Sequence, residues 1–107
     1  MNSNVRLVED AELDLHEIHR YVARYDSPAK ADKLIDNLEK TLLKLGTMPE
    51  RGHCPPELER IGIHEFTEIF FKPYRIIYQR IESDVFVFCI LDGRRDLQEL
   101  LRERLLR

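Results

Sequence analysis

A chain of 107 residues has the size of one domain and can bury roughly 65% of its unfolded surface, enough for one core. Its 17 basic and 20 acidic residues leave a formal charge of −3, which excludes gripping nucleic acid by bulk positive charge; residues 1–63 carry that negative balance and residues 64–107 are neutral. No apolar run approaches the roughly 18 residues of a membrane span. The N-terminal Met1-Asn2-Ser3-Asn4-Val5-Arg6 lacks the apolar segment of a secretory signal. Two cysteines define no disulfide framework, so Cys54 and Cys89 are expected as reduced thiols. The expectation is one cytoplasmic domain over residues 1–107, with no membrane association.

Val5-Arg6-Leu7-Val8 reads as a short strand. Asp10 offers an N-cap oxygen for a first helix, on which Leu15, Ile18, Val22 and Tyr25 recur at helical spacing. Glu12 and Asp14 in its first turn and Arg20 and Arg24 near its end suit the helix dipole. Ser27-Pro28 restarts the helix, with serine as cap and proline at the first helical position. Ala31, Leu34, Ile35, Leu38, Leu42 and Leu45 form the second stripe, and Gly46 is placed to stop it. So short a link between two helices predicts an antiparallel hairpin.

Thr47 to Ile63 is a loop by composition, with Pro49, Gly52, Pro55, Pro56 and Gly62. From His64 the period changes. His64–Phe71 reads as a first strand, Lys72-Pro73 breaks it, and Tyr74–Arg80 and Val85–Asp92 follow as a hairpin around a tight polar turn. Three strands in succession with short links imply an antiparallel meander. Leu97, Leu100, Leu101, Leu105 and Leu106 mark a last short amphipathic helix. The fold class is α+β, a short N-terminal strand and a helical hairpin packed on an antiparallel sheet. Tyr74, Ile76 and Tyr78 face one side by alternation and Ile77 and Ile81 the other, so both faces are apolar. The second face needs a cover: the last helix, a second copy, or another protein.

Arginine dominates the candidate chemistry. Arg75 sits inside an apolar strand, where its charge costs desolvation unless it meets a cleft or a partner such as Glu65 or Glu68. Arg94 and Arg95 stand just beyond the next strand, beside Asp92 and Asp96. One hairpin can bring Arg75 and one of these two into a small cationic hollow for an anion. Tyr74 and Tyr78 read as core-edge residues before catalytic hydroxyls. His16 and His19, three apart on a helix, lack a visible third metal ligand, and His53-Cys54, His64 and Cys89 show no ligand spacing. No cofactor or metal is expected.

In order, strand, helical hairpin, Pro/Gly loop and strand meander resemble the RelE/ParE superfamily of bacterial type II toxins, of toxin–antitoxin (plasmid stabilisation) modules. The residues that carry the resemblance are Tyr74-Arg75-Ile76-Ile77-Tyr78 and Gly93-Arg94-Arg95-Asp96, together with Ala11–Ile18 and Leu45–Gly52. It implies a growth-arresting toxin neutralised by a cognate antitoxin, with which it forms a hetero-oligomer. RelE-type members cut mRNA on the ribosome, and ParE-type members act on DNA gyrase.

In the RelE-like enzymes Arg75 and Arg94 would be the catalytic arginines. The preceding strand reads Phe66-Thr67-Glu68 without the paired lysines of that branch, and Asp96–Leu101 holds neither tyrosine nor histidine. A glutamate base among Glu57, Glu59, Glu65 and Glu68 stays open. The resemblance is nearer ParE, with Arg75, Tyr78, Arg94 and Arg95 as the expected functional surface; a non-toxic, antitoxin-binding member is the third reading.

Overall fold

The chain opens on strand β1 (Asn4–Leu7) and turns at once into helix α1 (Glu9–Tyr25) in the computed structural model, which describes residues 4–105. No side chain among the described residues caps α1. The carbonyl of Val8 takes the first helical bonds, from the amides of Ala11 at 2.9 Å and Glu12 at 3.1 Å. Asp10 therefore lies inside the first turn rather than at the cap, where with Glu9 and Glu12 it faces the positive end of the dipole.

Helix α2 (Pro28–Lys44) starts as its sequence predicts: Ser27 Oγ accepts from the Lys30 amide at 3.1 Å, and Pro28 holds the first position. Its end differs from expectation. Leu45 keeps a right-handed conformation and Gly46 is not left-handed; the chain winds out through short bonds from the Gly46 amide to Leu43 and from Thr47 to Lys44. Leu45, fully buried, is held in the core by this tight exit.

Four strands form one sheet in the order β1-β4-β3-β2, with β2 at Thr67–Phe71, β3 at Tyr74–Ile81 and β4 at Asp84–Asp92. The three-strand meander is antiparallel, and β1 joins it parallel to β4, with Asn4 opposite Asp84 and Leu7 opposite Val87. The expected strand His64–Phe71 begins only at Thr67; Phe66, just before it, meets Phe88 edge-on with ring centres 5.4 Å apart.

A β-bulge governs the rest. Ile77 pairs with Cys89 but Tyr78 pairs with Val87, so Phe88 is an extra residue in β4. Parity flips there. Val85, Val87 and Ile90 join Tyr78, Ile76 and Ile69 in the core under α1 and α2, while Cys89 and Leu91 join Ile77 on the opposite face. That second face is covered from within the chain by Leu58 of a short helix α3 (Pro56–Glu59) and by Leu97 and Leu100 of helix α4 (Leu97–Leu105). Leu106 of the predicted last stripe lies outside the described residues. Tyr25, predicted on the core stripe of α1, is exposed, as the packed side of that helix runs through Ala11, Leu15 and Ile18.

β4 outruns β1. Past Val87 no strand among the described residues pairs with its outer edge, and two side chains bond to it instead. Asp14 of α1 accepts from the Ile90 amide at 2.9 Å, and Arg104 of α4 donates to the Phe88 carbonyl at 3.0 Å. Arg104 also donates to Asp14 at 2.5 Å, a pair that ties both helices to the bulge. Burial outweighs this pairing at Asp14 and raises its carboxyl above the usual aspartate value.

Candidate functional site

Arg75 points from β3 to the face under α3 and α4, and its guanidinium is taken by two carboxylates. Nη1 and Nη2 donate to Glu57 at 2.8 and 2.7 Å; Nε and the same Nη2 donate to Glu68 at 2.7 and 3.1 Å. The planar fork matches both acceptors, which a lysine could not do. Glu68 is fully buried and only 9% of the Arg75 side chain is exposed. Arg75 is therefore the counter-charge that lets Glu68 lie inside. The hydrogen bond from Arg75 holds the Glu57 carboxyl below its usual range, and the Glu57 bond in turn raises the guanidinium above its own.

The loop that carries α3 is fastened to β2 next to this cluster. His53 and Glu68 exchange both backbone bonds, at 3.1 and 2.7 Å, and the His53 ring lies 3.4 Å from the Glu68 carboxylate. So close an approach requires Gly52: a Cβ there would stand 2.4 Å from the Glu68 carbonyl oxygen. Backbone pairing and ion pairs thus hold the loop from two sides.

The other predicted site residues are elsewhere. Tyr78 is fully buried on the opposite, helix-packed face, and its hydroxyl donates to the Pro49 carbonyl at 2.9 Å. It belongs to the core and not to a functional surface, because alternation sets it against Leu38 and Leu45 rather than solvent. Arg94 is 92% exposed at the end of β4 and bonds Asp92 at 3.1 Å, which lowers the Asp92 carboxyl. Arg95 is exposed, with no side-chain partner among the described residues. The predicted hollow shared by Arg75 and Arg94 does not form: Arg75 is sealed between Glu57 and Glu68 under α3, whereas Arg94 turns back onto its own strand end. Of the four residues expected on a functional surface, Arg94 and Arg95 reach solvent and Arg75 and Tyr78 do not.

The sequence offers Glu68 as a partner for Arg75 across the sheet but gives no sign of Glu57, which sits 18 residues away in a proline-rich loop. His19, at the edge of α1, lies 2.7 Å from Asp32 of α2 and joins the helical hairpin. Among the described residues no three histidines, cysteines or carboxylates gather as a metal site would need.

Two of the hollows in the described surface bear on these residues. One, of about 570 Å³, runs between α4 and the β4 bulge and is almost wholly apolar, with Leu58, Ile61, Phe66, Phe88 and Leu101 as walls and Arg102 at the rim. The other, of about 550 Å³, lies at the opposite side of the Asp14–Arg104 pair, where Tyr21 of α1 meets Tyr74, Asp92, Arg94 and Arg95. They share no wall residue.

With this geometry in hand, the similarities to known proteins are consistent. Residues 5–97 match the family described as the ParE toxin of the type II toxin–antitoxin system parDE. The chain is 28% identical over 91 residues to Toxin ParE3 of Caulobacter vibrioides, covering 85% of this chain and 87% of that one. Its fold superposes on a chain of the chromosomal ParDE system of P. aeruginosa with a TM-score of 0.72 at 14% identity, covering 84% of this chain and 95% of the other. A chain of the RelBE2 toxin–antitoxin complex of Mycobacterium tuberculosis gives 0.65 at 14% identity, covering 86% and 92%. The chain belongs to the ParE toxin family of type II toxin–antitoxin systems, within the RelE/ParE superfamily.

Proposed function

We propose that this toxin arrests growth by binding DNA gyrase, as a protein ligand rather than as a nuclease, and is held inactive in the cytoplasm by its cognate antitoxin in a plasmid-stabilisation type of module. The observation that carries this reading is the saturation of Arg75. RNA cleavage of the RelE kind needs cations free to meet the scissile phosphate. Here the strand arginine already has two carboxylates at hydrogen-bond distance, and a phosphate would have to displace both or lie against Glu57 and Glu68 at like charge. The exposed Arg94 lacks a second cation from β3 beside it.

The antitoxin's place on this reading is the apolar groove between α4 and the bulge. An amphipathic helix or extended segment laying apolar side chains on Phe66, Phe88 and Leu101 would remove the greasy surface from water. Partnership with an antitoxin is supported by the nature of the relatives, which come from ParDE and RelBE2 toxin–antitoxin systems.

The test sets two targets side by side. Purified toxin is titrated into a gyrase supercoiling reaction and into a translating extract with a reporter mRNA. Supercoiling is expected to stop while the message stays whole. Message cut at ribosomal positions with supercoiling untouched would transfer the chain to the ribosome-dependent endoribonucleases. Expression without the neighbouring antitoxin gene that leaves growth unchanged would mark a non-toxic, antitoxin-binding member.

A further inference from the structure

The second hollow has the chemistry of a contact surface. Tyr21 and Tyr25, one turn apart on the outer side of α1, are 65% and 67% exposed. Their rings lie 4.8 Å apart, and the Arg24 guanidinium stands 5.5 Å from the Tyr25 ring centre. Neither tyrosine belongs to the stripe that packs α1 on the sheet, so fold stability gives no reason for two large rings in water. Tyr21 shares the hollow with Tyr74, Arg94 and Arg95. The Gly93 amide donates to the Pro73 carbonyl at 2.8 Å, which brings the Lys72-Pro73 turn alongside the same segment.

One end of the molecule therefore sets Arg94 and Arg95 with Tyr21 and Tyr74 around one hollow, with Tyr25 and Arg24 following on α1 and the Lys72-Pro73 turn alongside, on a chain whose formal charge is −3. Tyrosine and arginine are the residues that most often carry binding energy where proteins meet. We propose that this end is the surface with which the toxin engages its target, and that the target meets it with a polypeptide face rich in carboxylates. The inference deepens the gyrase-binding reading and rests on it.

Charge selects the partner. Arg95, Lys72 and Arg24 have no carboxylate bonded to them among the described residues, and an acidic surface would supply it. A nucleic-acid strand fits less well: Asp14, Glu17 and Asp92 line the same hollow and would repel an unbroken row of phosphates, whereas separate carboxylates on a folded partner can be spaced to meet Arg95, Arg24 and Lys72. The antitoxin is directed to the other hollow, which is apolar and lies beyond the Asp14–Arg104 pair. Target and antitoxin would then use different walls of the toxin.

Two variants test this on the full chain, Tyr21→Ala/Tyr25→Ala and Arg94→Glu/Arg95→Glu. Each is titrated against gyrase supercoiling and, in parallel, against its own antitoxin by calorimetry. All four side chains are exposed, and circular dichroism checks that the fold is kept. Both variants are expected to need about tenfold more protein or beyond to inhibit gyrase, with antitoxin affinity within about twofold of wild type. Unchanged inhibition by both variants would overturn the proposal. So would a matching fall in antitoxin affinity, or wild-type binding to single-stranded RNA that the charge reversal abolishes. A wild-type toxin that leaves gyrase active refutes the parent reading instead, and this assignment with it; the wild-type curve and the variant ratio keep the two failures apart.

Discussion

Arg75 and Arg94 flank one β-hairpin and look alike in the sequence, yet they do opposite things. Arg75 is enclosed by Glu57 and Glu68 and fastens a loop to the sheet. Arg94 stands in water at the strand end, with Asp92 as a loose neighbour. What separates them is the element that lies opposite. α3 and β2 place two carboxylates over Arg75 near the start of β3, while Arg94, past the end of β4, stays 92% exposed beside Asp92. A strand arginine becomes a structural ion or a contact residue according to that cover, and not according to its own local sequence.

The largest test of this contrast removes the enclosed cation. Arg75→Ala leaves Glu68 buried without a counter-charge and frees Glu57, which should cost about 3–5 kcal/mol in urea unfolding. Arg75→Lys should recover only part of this, since one ammonium cannot serve both carboxylates with the same geometry. A Tm for Arg75→Ala equal to wild type would return this residue to the list of free, functional cations.

Much of the frame could be read before any coordinates. Ser27-Pro28 announces α2, the leucine stripe announces its buried side, and β-branched runs announce β3 and β4, because each signal is local. The contacts around Arg75 are not local. Glu57 lies in a loop rich in proline and glycine, whose four-residue helix has too few turns to show a period. The bulge at Phe88 was equally hidden: Val85, Val87, Cys89 and Leu91 are all apolar, so alternation fits either face and gives no sign of a flip. Asp14 reads as a first-turn acid suited to the helix dipole, and only the early end of β1 explains why it turns inward to the Ile90 amide. Tyr21 did carry a signal, since it falls off the Leu15–Ile18–Val22 stripe.

Acid should separate the two arginine sites by an intermediate amount. The Arg75 bond lowers the Glu57 carboxyl below its ordinary value of 4.5. A depressed carboxyl contributes stability that is present above the unfolded value and lost as pH falls through the folded one. The stability gap between wild type and Glu57→Gln should therefore be constant above pH 4.5 and close progressively below it. Asp14 runs the other way, because burial raises its carboxyl: its contribution is present at low pH and lost as pH rises through its folded value. Measuring the gap between wild type and Glu57→Gln, rather than wild type alone, cancels Asp14 out. A gap that stays open at low pH would mean that the Glu57 contribution is packing rather than charge.

The smallest expected effect is at Arg94. Asp92 is also lowered by its arginine, but that pair lies at the surface, where water and salt screen it and two mobile side chains must be ordered to make it. Arg94→Ala should leave the Tm indistinguishable from wild type at physiological salt. The contact role proposed for this end of the molecule demands the same outcome, since a residue kept for a partner contributes little to the fold that carries it. A clear loss of stability in Arg94→Ala would erase the difference between the two arginines and make Arg94, like Arg75, part of the scaffold.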